Sequence, residues 1–124
     1  MPHGQRVMIR VVDPAIDEEA LDRVTRNLRS ALSYPDIAHV ELVRDDTLPP
    51  DAKSGEAFVV GALLATLAQQ PGALNVVVNT VRDWLSGHAS RSVELRIGRD
   101  TLTVKGVSSR DQRRVIDAFL ERHR

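Results

Sequence analysis

The chain has no cysteine and few aromatic residues, and both absences exclude classes of function. Without cysteine it can form no disulfide, no thiolate nucleophile and no cysteine-ligated metal site. Aromatic residues make up 3% of the 124 residues, which is too few for a surface that stacks nucleic-acid bases. The 17 basic and 17 acidic residues balance, so no net charge attracts the chain to nucleic acid or to an anionic membrane. We therefore expect no nucleic-acid partner.

The N-terminal sequence MPHGQRVMIRVV lacks the apolar run of a signal peptide, because Arg10 interrupts it. We therefore expect a cytoplasmic protein. The length predicts a single domain over residues 1–124, large enough to bury about two-thirds of its unfolded surface.

The longest stretch without a charged side chain runs from Ala57 to Val81, which is 25 residues. The sequence Gln69-Gln70-Pro71-Gly72 divides it and predicts two helices folded back on each other. The first would begin at Ser54 or Gly55 and end at Gln69, and the second would span Leu74 to Leu85. The first half is apolar nearly all round, as expected of a helix buried on more than one side. This pattern predicts a central apolar helical hairpin.

Part of the first predicted helix would remain outside the core and contact another chain. We therefore expect a homo-oligomer or a tight protein partner. The predicted partner-binding residues are the large apolar residues of that helix: Phe58, Val59, Val60, Leu63, Leu64 and Leu67.

A charge-free run of this length could also span a bilayer, which needs about 20 apolar residues. Gln69, Gln70, Asn75 and Asn79 argue against this reading, and each half is too short to cross alone. A core hairpin is favoured over membrane insertion, with conditional insertion after a trigger left open.

The other segments have clearer periodicity. They predict an α+β fold of order β-α-β-α-α-β-β-α, with a small, mainly antiparallel four-stranded sheet and helices packed on one face. Predicted elements are a strand over Val7–Val12, a helix capped by Asp17 with the stripe Leu21, Val24, Leu28 and Leu32, a strand over Ile37–Val43, a loop over Arg44–Lys53, a hairpin of Ser92–Ile97 and Thr101–Val104, and a last helix capped by Ser108 or Ser109 with the stripe Val115, Ile116, Phe119 and Leu120.

No set of residues has the spacing of a catalytic or metal site. Of the four histidines, only His39 and His88 could meet in space. The acidic loop around Asp45, Asp46 and Asp51 carries prolines where a calcium loop needs ligands. We expect no catalytic residue, metal, cofactor or small-molecule substrate. Arg110, Arg113 and Arg114 are interpreted as a solvated helix face, and Trp84 as a core residue.

The chain resembles, from Val7 to Leu120, the effector-associated constant component family of small domains from bacterial, chiefly actinobacterial, conflict systems. The features that carry the resemblance occur in the family's order: the Leu-rich helix ending near Pro35-Asp36, the loop with Pro49-Pro50, Gly55-Glu56, the apolar segment with its glycine-containing break, Trp84-Leu85, and the hairpin around Gly98-Arg99-Asp100 with its closing helix. After Gly55-Glu56 the family often has a methionine and a further glycine, whereas Ala57 and Phe58 stand here.

The resemblance implies a non-enzymatic adaptor encoded beside effectors such as peptidases, caspase-like proteins and nucleoside triphosphatases. It implies no catalytic residues. Two alternatives stay open: a membrane-acting effector that uses the apolar hairpin over residues 57–81, and a small enzyme with His39 or His88 as its base.

Overall fold

The computed structural model of the protein describes residues 4–44, 58–106 and 109–123. These residues form one five-stranded antiparallel sheet and three helices, so the predicted α+β class and antiparallel pairing are confirmed. The elements are β1 (Arg6–Val12), α1 (Glu18–Ala31), β2 (Ile37–Arg44), β3 (Phe58–Leu67), α2 (Ala73–Leu85), β4 (Ser92–Ile97), β5 (Asp100–Lys105) and α3 (Arg110–Arg122). The predicted loop over Arg44–Lys53, including the acidic residues, lies outside the described residues except at Arg44.

The strands lie in the order β2-β3-β1-β4-β5. The chain therefore runs from the centre of the sheet at β1, through α1, to the edge strand β2 and back into the sheet as β3. The order β2-β3-β1-β4, with α1 and α2 as the connections, is the split β-α-β, or ferredoxin-like, motif. The hairpin strand β5 and the helix α3 extend this motif at one edge.

The predicted helical hairpin is wrong in its first half, which is the strand β3. The sheet therefore has five strands rather than four, and the order is β-α-β-β-α-β-β-α. The strand is paired on both sides, with β1 and with β2. Its side chains are apolar on both faces, which a helix buried all round would equally show. The second half forms the predicted helix, α2.

All three helices pack on the same face of the sheet. The strand residues under them alternate with residues of the opposite face, as the period of two requires. One cluster of buried side chains joins the layers: Val7, Ile9 and Val11 of β1, Leu63, Ala65 and Leu67 of β3, Val93 and Leu95 of β4, Leu102 and Val104 of β5, Leu28 of α1, Val77, Val78, Val81 and Leu85 of α2, and Ile116 and Phe119 of α3. Val115 of the predicted α3 stripe lies outside this core, with 53% of its surface exposed.

The helix caps follow the sequence signals. Asp17 Oδ1 accepts a hydrogen bond of 2.8 Å from the Ala20 N–H, and Glu18 and Glu19 follow in the first turn of α1. Ser109 Oγ accepts one of 3.0 Å from the Gln112 N–H at the start of α3. Both predicted N-termini are therefore confirmed, with Ser109 rather than Ser108 as the second cap.

One side chain of α3 also contacts the backbone at the outer edge of the sheet. The Gln112 Oε1 accepts a hydrogen bond of 2.9 Å from the Lys105 N–H. Its Nε2 donates one of 3.4 Å to the Lys105 carbonyl oxygen. The end of the edge strand β5 is thus hydrogen-bonded on its outer side as well.

Gly61 within β3 adopts a φ of +85°, in the left-handed region that favours glycine. A Cβ atom at this position would lie 3.0 Å from the Val11 carbonyl oxygen and 3.3 Å from a methyl group of Leu21. Glycine therefore allows β3 to approach both β1 and α1 at this point.

Candidate functional site: the uncovered face of the sheet

The face of the sheet opposite the helices carries no helix among the described elements. The strand register places its residues in rows across the sheet. Met8 of β1 lies opposite Leu64 of β3 on one side and opposite Arg96 of β4 on the other. Leu64 in turn lies opposite Glu41 of β2, and Arg96 lies opposite Thr101 of β5. The central row thus reads Glu41, Leu64, Met8, Arg96 and Thr101.

The rows on either side of this central row are more polar. In one, Arg10 lies between Ala62 of β3 and Glu94 of β4. In the other, Arg6 lies opposite Thr66 of β3. We call the residues of these rows on β2, β3, β1 and β4 the open face.

The charged side chains of the open face are available to solvent. Glu41 is exposed, and its Oε2 lies 3.3 Å from His39 Nε2 on the same strand. Arg96 is exposed, and its Nε donates a hydrogen bond of 3.1 Å to the Gly98 carbonyl oxygen. Met8 and Leu64 between them are half-buried. The open face therefore has an apolar centre with an anion on one side and a cation on the other.

This arrangement is suited to a protein surface rather than to nucleic-acid bases. No aromatic side chain belongs to the open face in the part of the chain that the structure describes. Recognition of single-stranded RNA on a sheet of this kind relies on aromatic side chains that stack on the bases. An apolar centre with a polar rim is the usual anatomy of a protein–protein interface.

The predicted partner-binding residues divide between the two faces of β3. Leu63 and Leu67 are buried in the core and cannot contact a partner in the folded protein. Leu64 lies on the open face, and Val60 is half-buried. The side chains of Phe58 and Val59 lie outside the described ones.

Sequence reasoning missed Met8, Arg96 and Glu41 as members of one surface. Met8 alternates with Val7 and Ile9, so its position on the outer face of β1 could be read from the sequence. Its position beside Leu64 depends on the pairing of strands more than 50 residues apart. That pairing leaves no local signal.

A second site is a cleft of about 780 Å³ where β3 ends and α2 begins. Its walls include amide side chains of Gln5, Gln69 and Asn75, together with Leu120 and His123. No serine, threonine, cysteine or lysine is among the described residues that line it. Among the described residues the cleft therefore offers amide groups and the His123 imidazole, but no hydroxyl, thiol or amine nucleophile.

His123 is held beside this cleft by Asp100 at the start of β5. Its Nε2 lies 2.6 Å from Asp100 Oδ2. The Arg122 guanidinium donates two hydrogen bonds, of 2.7 and 2.9 Å, to the same carboxylate. Hydrogen bonds from Arg122 and His123 hold the pKa of Asp100 below its usual value. This cluster ties the end of α3 to the β4–β5 turn.

The two histidines singled out by the sequence do not meet. His39 lies on β2 at one edge of the sheet. His88 follows α2, and its carbonyl oxygen lies next to Gly106, which follows β5 at the other edge. In the described segments no group of three or more histidine, aspartate or glutamate side chains could hold a metal ion.

Asp13, just after β1, is a buried carboxylate with several hydrogen-bond donors. It accepts hydrogen bonds from the Ala15 N–H, Ser90 Oγ and Arg91 Nε, at 3.0, 3.2 and 3.1 Å. Burial raises the pKa of Asp13, but these donors outweigh burial and lower the pKa below its ordinary value. The Arg91 guanidinium also lies 5.1 Å from the centre of the Trp84 ring, whose Nε1 donates to Asn27 Oδ1 over 2.9 Å. This group of side chains joins β1, β4, α1 and α2.

No helix over the described residues is both long and apolar enough to cross a membrane. Comparison of the chain with protein-family models, with curated proteins and with solved structures found no match.

Proposed function

We propose that the protein is a non-enzymatic interaction component, an adaptor that couples to a separate effector protein of a bacterial defence system. The expected effector is a peptidase, a caspase-like protein or a nucleoside triphosphatase, as the family resemblance implies. The observation that supports an interaction role is the open face, where Met8 and Leu64 lie side by side and no helix of the described segments covers them. In this proposal the protein acts in the cytoplasm. Disulfides are rare in cytoplasmic proteins, and a chain without cysteine is compatible with that compartment.

A half-buried apolar pair, Met8 and Leu64, lies at the centre of the open face. Apolar surface gains about 25 cal/mol for each Å² removed from water, so a partner that covers Met8 and Leu64 is favoured. The surrounding charges on Glu41, Arg96 and Arg10 stay at the rim of the interface. Rim charges contribute more to the specificity of binding than to its affinity. In the open face, the apolar pair would therefore supply binding affinity and the surrounding charges would supply specificity.

The membrane-acting alternative has less support. It requires an apolar helical hairpin that can leave the core, and the first half of that segment is the strand β3. To reach a bilayer, β3 would have to break its pairing with both β1 and β2. His39 and His88 lie at opposite edges of the sheet, which disfavours an enzyme that would use both histidines together and leaves a single histidine base as the alternative.

The test is co-expression of the protein with the effector candidates encoded next to its gene, followed by co-purification. Leu64→Asp should abolish the complex, because it places a carboxylate at the centre of the open face. Val115→Asp is the matched control, since Val115 is an exposed apolar residue of α3 on the other side of the molecule. Circular dichroism and Trp84 fluorescence would verify that both variants fold.

Two outcomes would contradict the proposal. If a folded Leu64→Asp variant still purifies with its effector, the open face is not the contact surface. If none of the neighbouring gene products forms a complex with the wild-type protein, the adaptor role is wrong.

A further inference from the structure

We propose that a second copy of this chain binds the open face, forming a two-fold, face-to-face dimer. The inference rests on the proposed function in that it takes the open face as a protein-binding surface, and it names the first occupant of that surface. The order of charges across the central row favours this arrangement.

Glu41 and Arg96 are placed symmetrically about the centre of the open face. The midline between β3 and β1 has Leu64 on one side and Met8 on the other. Glu41 lies one strand beyond Leu64, and Arg96 lies one strand beyond Met8. With strands about 4.8 Å apart, each charged residue is about 7 Å from the midline.

A rotation of 180° about an axis parallel to that midline brings a second copy face to face with the first. Each Glu41 then faces Arg96 of the other copy, and each Leu64 faces Met8. The strands of the two sheets remain roughly aligned, as in packed β-sandwiches, where the sheets lie about 10 Å apart. The interface gains two equivalent ion pairs around one apolar centre, as a two-fold contact requires.

The neighbouring rows are compatible with the same axis. Arg10 faces Ala62 of the other copy, because these residues also flank the midline. Arg6 likewise faces Thr66. No cation of β1 therefore faces another cation.

The alternative two-fold axis, across the strands through the central row, is disfavoured by the same charges. It would place Glu41 opposite Glu41 of the second copy, and Arg96 opposite Arg96 of the second copy. It would also place Arg6 over Arg10, because these two lie on β1 on either side of Met8. Like charges facing each other across an interface disfavour association, so the charge pattern selects the axis parallel to the strands.

The size of the open face sets the expected affinity. Four strands of six residues cover about 19 by 20 Å, or roughly 380 Å² in projection. A standard stable interface buries about 800 Å² on each partner. We therefore expect a dimer that dissociates at micromolar concentration. An effector that binds the open face can then displace the second copy.

Sedimentation velocity of the purified protein over a concentration series from about 1 μM to about 1 mM tests the dimer. Glu41→Arg alone and Arg96→Glu alone should each weaken dimerisation about tenfold or more, because each creates two like-charge contacts. The double variant should restore dimerisation, since both pairs are re-formed with exchanged signs. An equimolar mixture of the two single variants should also form a heterodimer, although neither variant dimerises well by itself.

Arg113→Glu and Asp117→Arg are the matched controls, because both residues are exposed on α3 at the helical side of the molecule. Neither control should change the dissociation constant by more than about twofold. A protein that stays monomeric throughout the series would overturn the inference. So would a dimer that both open-face reversals leave unchanged.

These results are separable from the failure of the adaptor role. A monomeric protein that still binds an effector through Leu64 would refute the dimer and leave the proposed function standing. A charge-dependent dimer that binds no effector would support the dimer and refute the proposed function. If both hold, the effector should dissociate the dimer, since one face cannot hold two occupants.

Discussion

Arg91 Nε donates a hydrogen bond to Asp13 Oδ2 over 3.1 Å, and only 11% and 4% of the two side chains are exposed. This ion pair links the end of β1 to the start of β4. Because both groups have left water, the loss of either one leaves a buried charge without its partner.

We therefore predict that Asp13→Ala or Arg91→Met lowers the free energy of unfolding by about 3 kcal/mol. Urea denaturation followed by Trp84 fluorescence and by circular dichroism would measure the loss. The control is Asp22→Ala, which removes the Arg26–Asp22 pair on α1, at 44% and 40% exposure. Exposed pairs of this kind contribute about 0.5 kcal/mol or less. Equal losses in both variants would contradict the buried role of Asp13.

The pH dependence of stability should carry a signature of Asp13. Its pKa is lower in the folded protein than its ordinary value, so its contribution to stability is complete above the unfolded pKa of about 3.9. The contribution is lost as the pH falls through the folded pKa. We predict that Asp13→Asn flattens the decline in the free energy of unfolding below about pH 4. Asp83→Asn, at an exposed position of α2, serves as the control and should leave more of the decline in place.

Adjacent residues of β3 should differ sharply in their effect on stability. Leu63 is buried in the core, and Leu64 lies half-buried on the open face. Leu63→Ala should cost about 3 kcal/mol of unfolding free energy, within the range of buried leucines. Leu64→Ala should cost about 1 kcal/mol or less, since it removes less contact. Similar losses at both positions would contradict the alternation of a strand and favour a helix buried all round.

Gly61→Ala should destabilise the protein by more than Gly87→Ala does. Both glycines have φ near +85°, so both substitutions incur a backbone cost of about 1–2 kcal/mol. A Cβ at Gly61 additionally meets the Val11 carbonyl oxygen at 3.0 Å, whereas nothing lies within 4 Å at Gly87. The difference between the two losses in thermal or urea unfolding measures the close approach of β3 to β1. No difference would mean that β3 can shift without penalty.

Most elements could be predicted from the sequence because their signals are local. The Asp17 cap with its stripe through Leu28, and the strands around Gly98, depend only on neighbours along the chain. The segment of β3 is different. A strand paired on both sides, and apolar on both faces, has the same composition as a helix buried all round. Only the pairing of β3 with β1 and β2, which is set by tertiary structure, distinguishes them.

The candidate site was less accessible to sequence reasoning than the fold. Leu64 could be identified as an apolar residue that needs cover, but its face depends on whether the segment is a helix or a strand. Glu41 and Arg96 are 55 positions apart and carry no motif. They become one surface only through two intervening strands, β3 and β1, whose register no short-range pattern encodes.

The contact between Gln112 and Lys105 bears on how the molecule avoids uncontrolled polymerisation. The amide of Gln112 imitates one residue of an adjoining strand, since it both accepts from and donates to the same backbone position. A foreign chain that tried to extend the sheet there would first have to displace it. Extension of the sheet at this end of β5 is therefore disfavoured, which limits fibre-like growth along this edge.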